Sequence, residues 1–240
     1  MTEPVIIAET ADYYVINKPA GFACEPPSNA ATIRDWLLAQ HKVDPNIWDE
    51  DTRYGIVHRL DSDTSGVLIW AKTPSAQARL RLLWQGRAVE KTYVALVAGE
   101  VGESGAVELP ILRDNKNDRQ TVAFFPNPKA RPAITDYRRL AVGSINHNPV
   151  SLVEAHPVTG RTHQIRVHMK AIGHPIVGDR LYGEKASEII AQDLGINRQA
   201  LHAAEITVDG SHYQSPLPPE LKEAVAACGI SYPADPEDNV

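Results

Sequence analysis

Residues 58–66, HRLDSDTSG, lie between two apolar runs, YGIV at 54–57 and VLIW at 67–70. The apolar runs are typical of buried strands, so the polar residues between them form either an elaborate turn or a functional site. Asp63, Thr64 and Ser65 can bond their own backbone, and Gly66 can adopt a positive φ. Because these four residues are enough to shape a turn, Asp61 is the carboxylate left for chemistry.

An aspartate is ordinarily ionised at neutral pH and can then act as a nucleophile or as a base. In a partly closed pocket a cation has to keep it ionised, since burial favours the neutral form. Arg59 is too near in sequence to fold back easily. Arg166, which lies in a second polar cluster, is the other candidate.

The chain has 240 residues, a length that fits one large domain or two small ones, and its 43% hydrophobic and 22% charged content is that of an ordinary globular protein. No basic leader precedes an apolar segment, and no apolar run approaches the roughly 18 to 20 residues of a membrane span, so we expect a cytoplasmic protein. Cys24 and Cys228 lack zinc-site spacing, and we expect two free thiols.

Charge is unevenly distributed along the chain. Residues 113–170 contain ten basic and four acidic residues, a net charge of +6, whereas the rest of the chain carries −12. This pattern is expected of one surface that faces a polyanion, with acidic residues elsewhere for solubility. The alternative is that these charges point to different sides of the fold.

The order of elements predicts an α+β fold, with a mixed, largely antiparallel central sheet flanked by helices and loops. Thr32 is expected to cap a helix in residues 31–41, Thr73-Pro74 to open a second that ends at Gly86, and Lys170, Gly173 and Pro175 to end a third. A final helix is predicted in residues 218–229. Strands are predicted at 5–21 (two, with a turn), 67–72, 91–99, 106–112, 121–125, 133–143, 149–157 and 201–208.

Several common sites are absent from the sequence. It contains no GxxxxGK[ST] or GxGxxG after a strand, no HExxH and no GxSxG. His163, His168 and His174 do not share one helical face, which argues against a metal site. We therefore expect no metal and no cofactor.

HRLDSDTSG, KTYVALVAG at 91–99, HPVTGRTHQIRVHMKAIGHPIVGDRLYG at 156–183 and LHAAEITV at 201–208 together closely resemble the RluA-type pseudouridine synthases. The resemblance begins near YYVINKPAGF at 13–22. It departs from the family in FACEPP, where Cys24 and Glu25 stand near the position of a frequent histidine. It also implies a single catalytic domain over residues 1–240 without an S4-like domain in front, and residues 232–240 are expected to be a flexible tail.

The resemblance implies isomerisation of a uridine in RNA, in which the N1 to C1′ bond breaks and the ring rejoins through C5. Asp61 corresponds to the essential aspartate, which either attacks the nucleoside or assists abstraction of a ribose proton. Arg166 corresponds to the arginine that pairs with it, and Tyr93 to a tyrosine that contacts the base. The substrate-binding residues expected from these motifs are His58, Arg59, Thr64, Arg161, His163 and Gln164.

The uridine has to leave its stack, so loops are preferred substrates, and Arg59 could stack on neighbouring bases. We expect a monomer that acts on an rRNA or tRNA stem-loop, with no membrane or protein partner. One rival is a catalytically inactive RNA-binding protein on the same scaffold. Another is a nucleoside or glycoside hydrolase, for which Asp63 would have to supply the second acid.

Overall fold

The computed structural model describes residues 2–26, 30–48 and 50–232. They form two compact units, the first comprising residues up to Lys91 together with Ala203–Pro216, and the second comprising Thr92–His202 and the residues from Leu217 onward. Residues 233–240, most of the predicted tail, lie outside the described residues. None of the described helices has the length and apolar character needed to cross a membrane.

The described part of the chain contains eleven strands, five α-helices and two short 3-10 helices at Pro45–Ile47 and Glu50–Gly55. In chain order the strands are β1 (Val5–Glu9), β2 (Tyr13–Lys18), β3 (Ser65–Ala71), β4 (Glu90–Ala98), β5 (Ser104–Val107), β6 (Ile111–Asp114), β7 (Arg119–Val122), β8 (Thr135–Ile145), β9 (Asn148–Pro157), β10 (Leu201–Val208) and β11 (Ser211–Gln214). The helices are α1 (Ile33–Ala39), α2 (Pro74–Gln85), α3 (Gln164–Ala171), α4 (Lys185–Asp193) and α5 (Pro219–Ala227). The predicted α+β class with largely antiparallel pairing is confirmed.

The first unit is built on strands in the order β1-β2-β3-β10, with β11 paired to β10. All seven residues of β3 are buried, which explains its continuous apolar sequence. Thr32 and Thr73 cap α1 and α2 by accepting hydrogen bonds from the backbone amides of Asp35 and Ala76, as predicted. Residues 58–66 therefore lead directly into a fully buried strand, β3.

The second unit has strands in the order β4-β9-β8-β5, and β8 and β9 form a long hairpin. A separate hairpin, β6 with β7, packs through Ile111 and Val122 against Val167 of α3 and against Tyr182. α3 ends as predicted, since Gly173 adopts a φ of 86° just beyond it.

Three strand predictions need correction, and several elements were missed. The run YGIV at 54–57 is not a strand, because Tyr54 and Gly55 end a 3-10 helix and Ile56 forms only an isolated bridge with Trp70. The run at 106–112 is divided between β5 and β6 around Pro110, and β7 ends at Val122, so Phe124 and Phe125 follow it in a loop. α4 and β11 were not predicted. At the start of α4 the Glu184 amide donates to Ser187 Oγ at 2.9 Å. Glu-x-x-Ser reverses the usual order of a capping box, so the sequence carried no clear start signal for this helix.

Candidate active site

The turn that contains Asp61 lies in the first unit, and its Gly66 adopts the predicted positive φ. The Thr64 amide donates to the Asp61 carbonyl at 3.0 Å, and Asp61 itself is half-buried. Gly66 has a φ of 119°, and a Cβ at this position would lie 2.1 Å from the carbonyl oxygen of Ala203. Glycine is therefore required by both the backbone conformation and the close approach.

A buried lysine supports this turn from the neighbouring KPAG turn. Lys18 is fully buried, and its Nζ donates to the carbonyl oxygens of Phe22 at 2.8 Å, Ser62 at 2.9 Å and Pro19 at 3.0 Å. The Gly21 amide also donates to the Ser62 carbonyl, at 2.9 Å. Three carbonyl acceptors offset part of the cost of burying the ammonium group. Lys18 was missed as a site residue, although the NKPAG motif was its sequence signal.

Cys24 and His58 also fix the segment that leads to Asp61. The Leu60 amide donates to Cys24 Sγ at 3.4 Å, and the thiol lies 3.5 Å from the Leu60 carbonyl oxygen, to which it donates. Burial raises the pKa of the Cys24 thiol, and the predicted free thiols are confirmed. Cys24 therefore has a supporting role in this turn.

His58 Nε2 accepts a hydrogen bond from the Ile69 amide at 2.9 Å, and its ring stacks on Trp84 with centroids 4.8 Å apart. Burial, reinforced by the positive charge of Lys91, lowers the pKa of His58 to about 3. The imidazole is thus neutral near pH 7 and ties the loop to β3. These contacts favour a positioning role over the predicted contact with substrate.

Arg59 is exposed beside Asp61 and contacts an acidic residue. Its Nη1 lies 3.3 Å from Glu25 Oε1, and Arg53 Nη1 lies 3.0 Å from the same oxygen. Glu25 is the second of the two residues that depart from the family motif. A residue that differs from the family motif, Glu25, therefore contacts a predicted substrate-binding residue, Arg59.

In the second unit, Tyr93 lies on β4 opposite Ala155 of β9 and is half-buried. Arg166, on α3, is buried, and its guanidinium forms a bidentate ion pair with Asp179, with Nε and Nη2 at 2.7 and 2.9 Å from the two carboxylate oxygens. The same guanidinium lies over the ring of Tyr182, 5.0 Å from its centroid. Sequence reasoning missed Asp179, although GDRLYG was part of the motif that carried the resemblance.

Three predicted substrate-binding residues shape the turn before α3. The Gln164 side chain is buried, accepts from Thr159 Oγ1 and the Arg161 amide, and donates to the Ile134 carbonyl and Thr135 Oγ1. His163 has a φ of 57°, and its Nδ1 lies 2.9 Å from the Tyr182 hydroxyl. Arg161 Nε donates to the Pro132 carbonyl at 3.1 Å. Since all four of these Gln164 bonds are internal, the residue is suited to positioning the turn.

The basic segment 113–170 is partly neutralised by ion pairs. Arg113 pairs with Asp118, Arg138 with Glu154, and Arg139 with Glu100. Lys116, Lys129 and Arg131 are exposed, and within residues 2–26, 30–48 and 50–232 they form no ion pair.

Two aromatic side chains project from the loop after β7. Phe124 and Phe125 are 66% and 85% exposed, far more than is usual for phenylalanine, and Lys129 and Arg131 follow a few residues later. Exposed aromatics beside basic residues are typical of surfaces that bind single-stranded nucleic acid. Sequence reasoning assigned both to a strand, although FF beside PNPKARP was an available signal.

No group of three or more His, Cys, Asp or Glu side chains in the described ranges could hold a metal ion.

Comparison with known proteins identifies the family to which this fold belongs. The family model for "RNA pseudouridylate synthase" matches residues 12–171, a range that contains Asp61, Tyr93 and Arg166. The chain belongs to this family. It is 38% identical over 205 residues to "Ribosomal large subunit pseudouridine synthase D" of Zymomonas mobilis, covering 84% of this chain and 63% of that protein.

Two further sequences and two solved structures agree. Identity is 35% to the synthase D of Pasteurella multocida, over 97% of this chain and 73% of that one, and 41% to an "Uncharacterized RNA pseudouridine synthase" of Chloroflexus aurantiacus, over 86% and 63%. The chain therefore spans 63% to 73% of the length of these relatives. "Human RNA Pseudouridylate Synthase Domain Containing 4" has the same fold, with a TM-score of 0.75, 24% identity and 95% and 94% coverage of the two chains. "Human RNA Pseudouridylate Synthase Domain Containing 1" also has this fold, with a TM-score of 0.67 and 28% identity. The match covers 90% of this chain and 83% of that one.

Proposed function

We propose that this protein is an RNA pseudouridine synthase that isomerises specific uridines through Asp61. The N1 to C1′ bond of the uridine breaks, a C5 to C1′ bond forms, C5 loses its proton and N1 gains one. The reaction conserves atoms and redox state, so it requires no oxidant or reductant. In this proposal Asp61 either attacks the sugar or assists removal of a ribose proton, Tyr93 serves as the base-contacting phenol and Arg166 as the supporting cation.

The observation that carries this proposal is the construction of the Asp61 turn. Lys18, Cys24 and His58 each bond the backbone of the turn or of the strand behind it, while Asp61 stays half-exposed. A carboxylate on a backbone fixed at several points is pre-organised for chemistry, which a residue used only for binding does not need.

We further propose that RNA binds with the help of the exposed part of the basic segment and of Phe124 and Phe125. Lysines and arginines neutralise phosphates, and a phenylalanine face can stack on an unpaired base. The names of the relatives point to large-subunit ribosomal RNA as the substrate to test first, with a tRNA stem-loop as the second choice.

The test is release of tritium from RNA transcribed with uridine labelled at C5. An isomerase releases tritium to water and leaves the chain of nucleotides intact. A hydrolase releases labelled uracil and leaves abasic sites, whereas an inactive RNA-binding protein gives neither product. Tritium release that matches the number of pseudouridines mapped in the same RNA would support the proposal, and binding without release would reject it.

We also propose that the protein acts in the cytoplasm as a monomer without a protein partner. Under the conditions of the turnover assay, we expect light scattering to give a molar mass near 26.3 kDa. A dimer mass would contradict this part of the proposal.

A further inference from the structure

Glu25 forms a shared ion pair with two arginines next to the Asp61 turn. The Glu25 side chain is only 15% exposed, whereas those of Arg53 and Arg59 are 55% and 53% exposed. Both guanidinium groups contact the same oxygen, Oε1, from the solvent side. The carboxylate therefore forms the inner part of the cluster, and the two cations form its outer surface.

The backbone on both sides of this cluster is fixed by other contacts. Cys24, which precedes Glu25, is bonded to both the amide and the carbonyl of Leu60. On the other side, Trp70 Nε1 donates to the Tyr54 carbonyl at 2.7 Å, next to Arg53. Glu25 is thus held at a defined distance from residues 59–61, and its carboxylate can set the direction of the Arg59 side chain.

The charges of the cluster are unequal, since one carboxylate faces two guanidinium groups. The described contact of Arg59 with Glu25 uses Nη1, and a guanidinium has five N–H donors, so the exposed face of Arg59 can still reach a phosphate or a base. The carboxylate itself repels phosphate. It therefore orients Arg59 at some cost in RNA affinity.

We propose that Glu25 is a positioning residue that holds Arg59 in the orientation needed to occupy the space left by the everted uridine. This inference rests on the proposed function. A pre-oriented arginine loses less side-chain entropy when the RNA binds in its reactive form, so the benefit falls on turnover, while the charge repulsion falls on binding. Glu25 thus favours kcat over affinity.

The test is a comparison of kcat and RNA Kd for Glu25→Gln with those of the wild type. Glu25→Gln keeps the shape and removes the charge, so we expect kcat to fall by roughly tenfold and Kd to decrease. Glu9→Gln is the matched control, because Glu9 is a carboxylate of the same unit that contacts Lys42 and Lys72. It should leave both constants unchanged.

A double-mutant cycle separates positioning of Arg59 from a general structural effect. If Glu25 acts through Arg59, Glu25→Gln lowers kcat in the wild type but not in an Arg59→Ala background. Equal losses in both backgrounds, or an unchanged kcat, would overturn the inference. If the Glu25→Gln variant does not fold, Glu25→Asp is the second variant, because it keeps the charge on a shorter side chain. We expect Glu25→Asp to have the wild-type Kd and a reduced kcat. A wild-type kcat in Glu25→Asp would overturn the inference.

The two proposals can fail separately in this experiment. A wild type that binds RNA but releases no tritium would reject the proposed function itself. An active wild type whose Glu25→Gln variant has the same kcat would reject only the role of Glu25.

Discussion

Replacement of Asp179 by asparagine should destabilise the protein strongly, because Asp179 neutralises a buried arginine. Its carboxylate accepts two hydrogen bonds from Arg166 and one each from the amides of Leu181 and Tyr182. The Asp179 side chain is completely buried and that of Arg166 is 8% exposed. Removing the negative partner of a buried ion pair is strongly destabilising and costs about 3–5 kcal/mol.

Asparagine can retain the acceptor that faces the two amides, so the loss comes mainly from the charge and from an NH2 group placed opposite Arg166 Nε. The free energy of unfolding in urea, followed by tryptophan fluorescence and circular dichroism, measures the effect. Glu154→Gln is the control, because Glu154 pairs with the largely exposed Arg138 and should cost about 0–1 kcal/mol.

A double variant tests the reason for this loss. Asp179→Asn combined with Arg166→Met removes the buried cation as well, and it should be more stable than Asp179→Asn alone. A loss below about 1 kcal/mol for Asp179→Asn would refute the reasoning, since a figure of that size is typical of an exposed pair. So would a double variant that is less stable than the single one.

Three other predictions concern the loop and the RNA surface. The pKa of His58 is about 3 in the folded protein and about 6.5 when unfolded, so the unfolded chain binds the proton first. The contribution of neutral His58 to the free energy of unfolding is therefore complete above about pH 6.5 and falls by about 1.4 kcal/mol per pH unit toward pH 3. Urea titrations of the wild type and of His58→Gln should give a stability difference that follows this course. A difference that does not change with pH would contradict the prediction. Phe125→Ala should weaken RNA binding by about 1–3 kcal/mol at every salt concentration, as expected for lost stacking, and an unchanged Kd would exclude contact. Lys129→Ala should reduce the slope of log K against log salt by about 0.7, and an unaltered slope would remove Lys129 from the phosphate contacts.

Much of the fold could be predicted because local signals agreed with burial. The continuous apolar run of β3, the caps Thr32 and Thr73, and the stop signals after α3 each depend on neighbours in sequence. The errors fall where local signals are weak or conflict. Pro110 divides an apolar run, and the apolar residues of 121–125 reflect both a short strand and an exposed aromatic pair.

The candidate site was predicted only in its motif residues, because its supports are distant in sequence. Ser62 receives a bond from Lys18, 44 residues away, and His58 is bonded to a β3 amide. The NKPAG motif marks Lys18 as part of a turn but does not mark it as buried, since lysine is almost always exposed. The partner of Arg166 in the second unit, Asp179, is likewise separated from it by 13 residues and a helix end.

The catalytic role of Asp61 is tested most directly by measuring single-turnover tritium release for two separate variants, Asp61→Asn and Asp63→Asn. Asp63 is the matched control, because it is an exposed aspartate of the same turn whose amide replacement preserves turn chemistry. We expect Asp61→Asn to lower the rate at least about 10³-fold while RNA binding persists, and Asp63→Asn to stay close to the wild-type rate. Turnover at the wild-type rate by Asp61→Asn would contradict the central claim.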